Sequence, residues 1–101
     1  MDFDCLDIET ILGFEWDDGN IHKNEKKHGL KWSIIEEIFF NDPLLIVEDF
    51  KHSEKECRCV ALGINNGGEL ITVIFTVRAQ RIRVISARMM SKKERSIYEY
   101  A

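Results

Sequence analysis

Basic side chains are concentrated in two stretches of this 101-residue sequence. The larger stretch, residues 78–95, holds seven Lys and Arg residues and a single acid, Glu94. The smaller stretch, residues 22–31, combines four lysines with His22 and His28. Guanidinium groups bind phosphate oxygens bidentately, and histidine exchanges a proton near neutral pH. These residue types predict a site that binds a phosphate polyanion.

The overall charge does not exclude such a site. The formal net charge is −4, but seven acids and no Lys or Arg lie within residues 1–20. Charges on a protein surface are screened over about 10 Å at 0.1 M salt. A polyanion therefore meets the local basic stretches rather than the mean charge.

The elements that must position these side chains are predicted by hydrophobic spacing and turn signals. They indicate an α+β fold in the order β-α-α-β-β-β-β-α. The first strand is expected at residues 11–16, followed by a surface helix that ends at Gly29. Capping boxes at Ser33–Glu36 and Ser91–Glu94 predict the starts of two further helices. The later strands are expected at residues 44–50, 57–64, 69–77 and 81–87.

Short turns between these four strands predict a small antiparallel sheet, and the segregated helices are expected to cover one of its faces. Alternation along residues 69–77 places four apolar side chains on the core side: Ile71, Val73, Phe75 and Val77. Thr72, Thr76 and Arg78 then lie on an open face. Arg81 and Arg83 share a face of the last strand. Alternation places Arg88 on the opposite face unless the strand ends near Ala87, as we predict.

The length, the cysteines and the absence of recognised targeting and phosphate-loop motifs exclude several classes of protein. The length predicts a single domain, residues 1–101, that begins with an acidic segment at residues 1–13. No export signal or membrane-spanning run is recognised, which predicts a cytoplasmic protein with no membrane partner. Cys57 and Cys59 lack a second pair or a histidine at zinc spacing, so no metal site is expected. No glycine-rich phosphate loop is present, and no cofactor is predicted.

Six short motifs follow one another along the chain. They are Phe14-Glu15-Trp16-Asp17, Asn24-x-x-Lys27-His28-Gly29, Phe40-x-Asp42-Pro43, Glu56-x-Arg58 with Gly63, Arg81-x-Arg83-x-Ile85-Ser86-Ala87-Arg88, and Glu94-Arg95-x-x-Tyr98. In this order and spacing the sequence resembles the BrnT family of type II toxins. The resemblance implies a fold like that of the RelE-like ribonuclease toxins and an RNA-cleaving activity. It also implies an antitoxin with a ribbon-helix-helix DNA-binding region, in a hetero-oligomer that contacts operator DNA only through the antitoxin.

RNA cleavage by the 2′-hydroxyl needs a general base, stabilisation of the phosphorane and a general acid. The side chains predicted for these catalytic tasks are His28, Arg58, Arg83, Arg88 and Tyr98. Those predicted to bind RNA are Lys27, Arg78 and Arg81. The reaction is expected to need no metal.

Each of these predictions has a structural alternative. Arg83 and Arg88 could be exposed edge charges, and Arg58 could form an ion pair with Glu56 or Asp42. His28 could stabilise the C-terminus of its helix, and Tyr98 could pack beneath the sheet. Glu94 is explained better as a cap than as a general base. For the whole chain, the alternative is a non-catalytic RNA- or protein-binding module, or a degenerate toxin that retains only antitoxin binding.

Overall fold

The computed structural model describes residues 10–49 and 57–100. Its strands are β1 (Gly13–Phe14), β2 (Leu45–Glu48), β3 (Arg58–Ile64), β4 (Leu70–Arg78) and β5 (Arg81–Met89). Its α-helices are α1 (Lys23–His28), α2 (Trp32–Glu37) and α3 (Lys92–Glu99), and a 3₁₀ turn at Ile38–Phe40 extends α2. The α+β class and the element order are confirmed. The acidic segment lies largely outside the described residues.

The five strands form one sheet in the order β1-β5-β4-β3-β2. Strands β2 to β5 pair antiparallel, as expected. β1 instead pairs parallel with β5, with Gly13 beside Arg81 and Phe14 beside Ile82, so the sheet is mixed and the fully antiparallel expectation is wrong. The physical reason is that three strands and all the intervening helices separate β1 from β5, so no tight hairpin fixes their relative direction.

The main core lies between one sheet face and the α2 segment. The alternating side chains of β4 point into it: Ile71, Val73 and Phe75 are fully buried, and Val77 packs at its margin. Phe39 stacks edge-on against Phe75 with a centroid distance of 5.4 Å. The predicted orientation of β4 is therefore confirmed.

The two predicted capping boxes have different outcomes. At α3, the Ser91 hydroxyl accepts from the backbone N–H of Glu94, and the Glu94 carboxylate accepts from the backbone N–H of Ser91. At α2 the box is wrong, because the helix begins one residue before Ser33 and has no side-chain cap. The Glu36 carboxylate instead accepts a 2.7 Å hydrogen bond from the Trp16 indole.

The second sheet face is less open than predicted. α3 covers one end of it, where Tyr98 packs with Leu62 and Met90. Thr72 and Thr76 are each only 1% exposed. The Thr72 hydroxyl donates to Glu94 and the Thr76 hydroxyl donates to the Cys57 carbonyl, so both buried hydroxyls have partners. The expectation that these threonines lie exposed is wrong, although they do lie on the predicted face.

The short strand β1 covers only the first part of the outer edge of β5. Beyond it, side chains from the α1 region hydrogen-bond to the β5 backbone. The Asn20 amide donates to the Val84 carbonyl at 3.1 Å. The Asn24 carbonyl oxygen accepts from the Ala87 N–H at 3.0 Å. The Lys23 ammonium donates to the Ile85 carbonyl at 2.8 Å. These bonds satisfy backbone groups that a neighbouring strand would otherwise occupy, and so they fix α1 along β5.

Candidate functional site

Four arginines lie at the end of the sheet nearest the β4–β5 turn. Arg58 and Arg83 both pair in register with Thr76, one from each side. Arg78 and Arg81 pair with each other at the end of the same two strands. Residues paired across antiparallel strands project from the same face, so all four side chains rise from the face opposite the main core. We call Arg58, Arg78, Arg81 and Arg83 the arginine cluster.

A β-bulge brings Arg88 to the same face as the arginine cluster. Ile74 pairs with Ser86 whereas Phe75 pairs with Val84, so Ile85 is an extra residue on β5. The strand also continues to Met89 rather than ending near Ala87. The inserted residue reverses the alternation, and Arg88 pairs with Thr72 on the arginine face. The predicted strand end was therefore wrong.

Arg88 nevertheless lies apart from the arginine cluster along the strands. Its register partner, Thr72, is four residues from Thr76 on β4. At a rise of roughly 3.3 Å a residue, the two rows are separated by about 13 Å. The five arginines therefore share a face, with Arg88 at one end and the cluster at the other.

Arg83 is held by two carboxylates that follow β1. Its Nη1 donates to Asp17 at 2.7 Å and to Glu15 at 3.2 Å, and its Nη2 donates to Asp17 at 3.1 Å. The Arg83 guanidinium lowers the pKa of the Asp17 carboxyl, which the Gly19 N–H also favours in its charged form. Asp17 raises the pKa of Arg83 in turn. The Arg83 side chain is thus pre-oriented to hold an oxyanion, and in this structure Asp17 supplies that anion.

Arg88 has its own carboxylate partner, Glu94 on α3. Arg88 Nη1 and Nη2 donate to the two Glu94 oxygens at 2.6 and 2.9 Å. The Ser91 N–H and the Thr72 hydroxyl donate to the same carboxylate at 2.8 and 2.9 Å. The Arg88 bond, followed by these other donors, lowers the pKa of Glu94 to about 2 against the opposing effect of burial. Glu94 is therefore ionised near neutral pH and lies in the cap, as the sequence favoured.

Replacing Glu94 by glutamine is expected to destabilise the fold by about 1–2 kcal/mol at pH 7, after solvent screening is allowed for. Because folding lowers this pKa from 4.5 to about 2, the stabilisation is fully present above pH 4.5. It is lost as the pH falls through 2. Urea unfolding of both proteins across pH 2–7 measures the difference, which should shrink below pH 4.5.

Glu99→Gln is the matched control, because Glu99 is an exposed acid on the same helix. Its unfolding curves should follow those of the parent protein at every pH. Coincident curves for Glu94→Gln and the parent at pH 7 would contradict the role given to the Arg88–Glu94 pair.

The basic residues of α1 lie on the helix that packs along β5. Lys27 and His28 occupy its last turn and are both exposed. Lys23 and Asn24 are the α1 residues that bond to β5. Lys27 and His28 each follow one of them by four residues, so Lys27 lies on the same side of the helix as Lys23, and His28 on the same side as Asn24. Both side chains therefore lie one turn beyond the contacts with β5.

Tyr98 lies on the same sheet face as the arginines, beneath α3 and next to Leu62 of β3 and Leu45 of β2. It is 7% exposed, and its hydroxyl donates a 2.6 Å hydrogen bond to the Pro43 carbonyl. Burial raises its pKa. The structure thus places the five arginines on one face, whereas the Tyr98 hydroxyl is directed to the Pro43 carbonyl.

Sequence reasoning missed the two acids that hold Arg83. Glu15 and Asp17 are part of a recognised motif, yet nothing local in the sequence indicates that they meet Arg83, which lies 66 residues further along the chain than Asp17. Among residues 10–49 and 57–100, no three His, Cys, Asp or Glu side chains are grouped in a way that could hold a metal ion. In the same ranges, every helix is too short or too polar to cross a bilayer.

Comparison with known proteins adds one finding to this geometry. A family model described as "Ribonuclease toxin, BrnT, of type II toxin-antitoxin system" matches residues 16–94. The match covers most of the 101-residue chain and includes every arginine on the sheet face. It also includes Asp17, which pairs with Arg83, and Glu94, which pairs with Arg88. A search of curated proteins gave no match.

Proposed function

Since the chain belongs to the BrnT family of ribonuclease toxins of type II toxin–antitoxin systems, we propose that it is an endoribonuclease that cleaves RNA without a metal ion. The substrate would lie on the sheet face that carries the arginines. The observation that supports this most is the register that places five of them on one face. They are Arg58, Arg78, Arg81, Arg83 and Arg88.

The arginine cluster is suited to the charge that develops during cleavage. Attack by the RNA 2′-oxygen produces a phosphorane with additional negative charge on its equatorial oxygens. Arg58 and Arg83 flank Thr76 across two strand spacings, so their backbones are about 10 Å apart and their side chains can meet over one phosphate. Guanidinium groups fixed before reaction stabilise such a charge without reorganisation. In this proposal they supply the positive charge that a metal ion supplies in other nucleases.

In this proposal, RNA must partly displace Asp17 from Arg83 in order to bind. Its carboxylate occupies both terminal nitrogens of Arg83, so a phosphate oxygen must take over part of that contact. The Asp17 side chain is 54% exposed, and exposed ion pairs are weak. A polyanion that contacts several arginines at once can therefore compete with it.

Arg88 and Lys27 are proposed to hold neighbouring phosphates, because both are basic and accessible at either side of the distal part of β5. His28 and Tyr98 remain the proposed groups for proton transfer. Exposure favours His28, since Tyr98 is buried as a residue and its hydroxyl already donates to the Pro43 carbonyl.

The family also implies an antitoxin partner, and we propose the finer features of the system from the sequence resemblance. The whole chain would be one domain with a RelE-like fold that acts in the cytoplasm. The antitoxin would carry a ribbon-helix-helix region, and the hetero-oligomer would contact operator DNA only through it. Antitoxin binding would neutralise the ribonuclease.

Purified protein incubated with end-labelled RNA, both free and on translating ribosomes, tests the activity. We expect cleavage that is unchanged by EDTA and that leaves 2′,3′-cyclic phosphate ends. A 2′-deoxy substitution at the cleaved nucleotide should abolish the cut. Loss of cleavage in EDTA would overturn metal independence.

Intact RNA in every reaction would favour the second candidate, a binding module without catalysis or a degenerate toxin. That candidate is consistent with the carboxylates already paired with Arg83 and Arg88. It predicts RNA binding that weakens steeply with salt, since each phosphate contact releases counterions.

A further inference from the structure

The chain enters the sheet at the end that carries the arginine cluster. The Leu12 N–H donates to the Gln80 carbonyl in the β4–β5 turn at 2.7 Å, and Gly13 pairs in register with Arg81. Because β1 runs parallel to β5, which begins at Arg81, the chain before Gly13 lies at the turn end of the sheet. The segment that precedes Thr10 therefore joins the fold beside the cluster, about one strand spacing from Arg81.

Residues 1–9, which precede the part of the chain that the structure describes, are strongly acidic. Four of the nine are acids, and none is Lys or Arg. The acids are Asp2, Asp4, Asp7 and Glu9. Their charge is opposite to that of the surface beside which the segment joins the fold, so electrostatic attraction favours contact between the two.

The outer corner of the cluster is a favourable position for such carboxylates. Arg78 and Arg81 pair with each other in register at the strand ends and are both exposed. Like charges directly opposite each other repel, and an anion placed between them relieves that repulsion. At Arg83, Asp17 already provides a carboxylate in this way, bound to both terminal nitrogens.

Residues 1–9 are also long enough to cross the cluster. An extended chain spans about 3.3 Å a residue, so nine residues reach up to about 30 Å. The strand order places three strand spacings between β1 and the strand of Arg58, β3, a distance of about 14 Å. The segment can therefore pass over the whole cluster at about half of its full extension.

We propose that residues 1–9 dock on the arginine cluster and place their carboxylates where RNA phosphates would bind. The competition with RNA rests on the proposed function, whereas the docking depends only on the charges and the path of the chain. A tethered segment acts at an effective concentration in the millimolar range, so individually weak contacts are sufficient. The chain thus carries an internal competitor that RNA must displace.

Two cysteines can report the docking directly. Cys5 lies within residues 1–9, and Cys57 immediately precedes Arg58. A disulfide requires two Cα atoms to come within about 7 Å of each other. Reduced protein placed in oxidised glutathione should form a Cys5–Cys57 bond by two thiol–disulfide exchanges, which release two molecules of reduced glutathione. Peptide mapping identifies the bond, and Cys59, which is buried, should remain a thiol.

The rate of this reaction should depend on the four acids. A four-amide variant replaces each acid of residues 1–9 by its amide: Asp2→Asn, Asp4→Asn, Asp7→Asn and Glu9→Gln. It should form the bond about tenfold more slowly, as expected when a docked state loses most of its population. High salt should slow the parent protein in the same way, because it screens the attraction.

Deletion of residues 1–9 tests the competition with RNA. We expect it to tighten binding of a 2′-deoxy-substituted RNA, which cannot be cleaved, by about tenfold, because the docked fraction of the parent is not competent to bind. The four-amide variant should show the same gain at full chain length. Glu37→Gln is the control, since Glu37 lies on α2, on the core side of the sheet. It should change the affinity by less than about twofold.

Three results would overturn the proposal. The first is the absence of the Cys5–Cys57 bond in the parent protein, or its formation at the same rate in the four-amide variant. The second is a bond that appears only as a dimer in a non-reducing gel, which would place residues 1–9 on a second copy. The third is equal RNA affinity of the parent protein and the deletion variant, both shown to be folded by thermal unfolding.

The disulfide reaction contains no RNA, so a failure of the proposed ribonuclease activity does not alter its outcome. Conversely, RNA cleavage by a parent protein that never forms the bond would leave the proposed function in place and remove the docking. The two proposals can therefore fail separately.

Discussion

Arg83→Ala is expected to lower kcat/KM for RNA cleavage by about 10²- to 10³-fold, the usual effect of removing one preorganised donor from a developing oxyanion. Arg83 pairs in register with Thr76, which pairs with Arg58 on its other side, and only 18% of the Arg83 side chain is exposed. Arg83→Lys should recover only part of the loss, because lysine keeps the charge but not the bidentate fork. Single-turnover cleavage of labelled RNA measures all three rates.

The control for this prediction is Arg95→Ala. Arg95 is an exposed residue of α3, outside the arginine cluster, and its loss should alter the rate by less than about threefold. The thermal unfolding midpoint of each variant separates loss of chemistry from loss of fold. Equal cleavage rates for Arg83→Ala and the parent protein would remove the arginine cluster as the site of reaction.

Gly63→Ala is expected to destabilise the fold by about 2–3 kcal/mol, within the range for overpacking a close-packed core. A Cβ at position 63 would lie 2.8 Å from the Ile38 Cβ and 3.3 Å from its Cδ1. Ile38 is fully buried, so the 3₁₀ turn cannot yield without moving the layer that covers the sheet. For a domain of this size the unfolding midpoint should fall by roughly 10 °C or more.

Gly67→Ala is the matched control in the neighbouring turn. Its added Cβ would meet only the Asn65 Oδ1 at 3.6 Å, an ordinary contact. We expect a change within about 0.5 kcal/mol, as for most exposed substitutions. Similar unfolding midpoints for Gly63→Ala and Gly67→Ala in circular dichroism would contradict the packing argument.

Parts of the fold could be predicted because short-range physics decides them. The apolar alternation of β4 identifies its core side correctly, since successive strand residues project to opposite faces. The Ser91 capping box identifies the start of α3, since its hydrogen bonds join residues three apart. The Ser33 box does not form: the helix begins at Trp32, and Glu36 instead accepts from the Trp16 indole, 20 residues away. A long-range partner can thus replace a local one that the sequence favours equally well.

The candidate site likewise has features that the sequence predicts and features that depend on long-range contacts. Sequence composition identifies the arginines as groups suited to phosphate, and their common face on β5 is predicted for Arg81 and Arg83 by alternation. The position of Arg88 is not predictable in this way, because the bulge at Ile85 depends on the pairing of β5 with β4. The Asp17–Arg83 contact likewise requires β1 to lie parallel beside β5.

The sequence by itself determined the element order, the core side of β4, the cap of α3 and the chemical nature of the basic residues. Each of these depends on side-chain type or on neighbours within a few positions. Only the tertiary structure decided the parallel β1–β5 pair, the face of Arg88 and the carboxylates that hold Arg83 and Arg88. These depend on strand register and on contacts between distant segments, because a single inserted residue in a strand reverses every side chain that follows it.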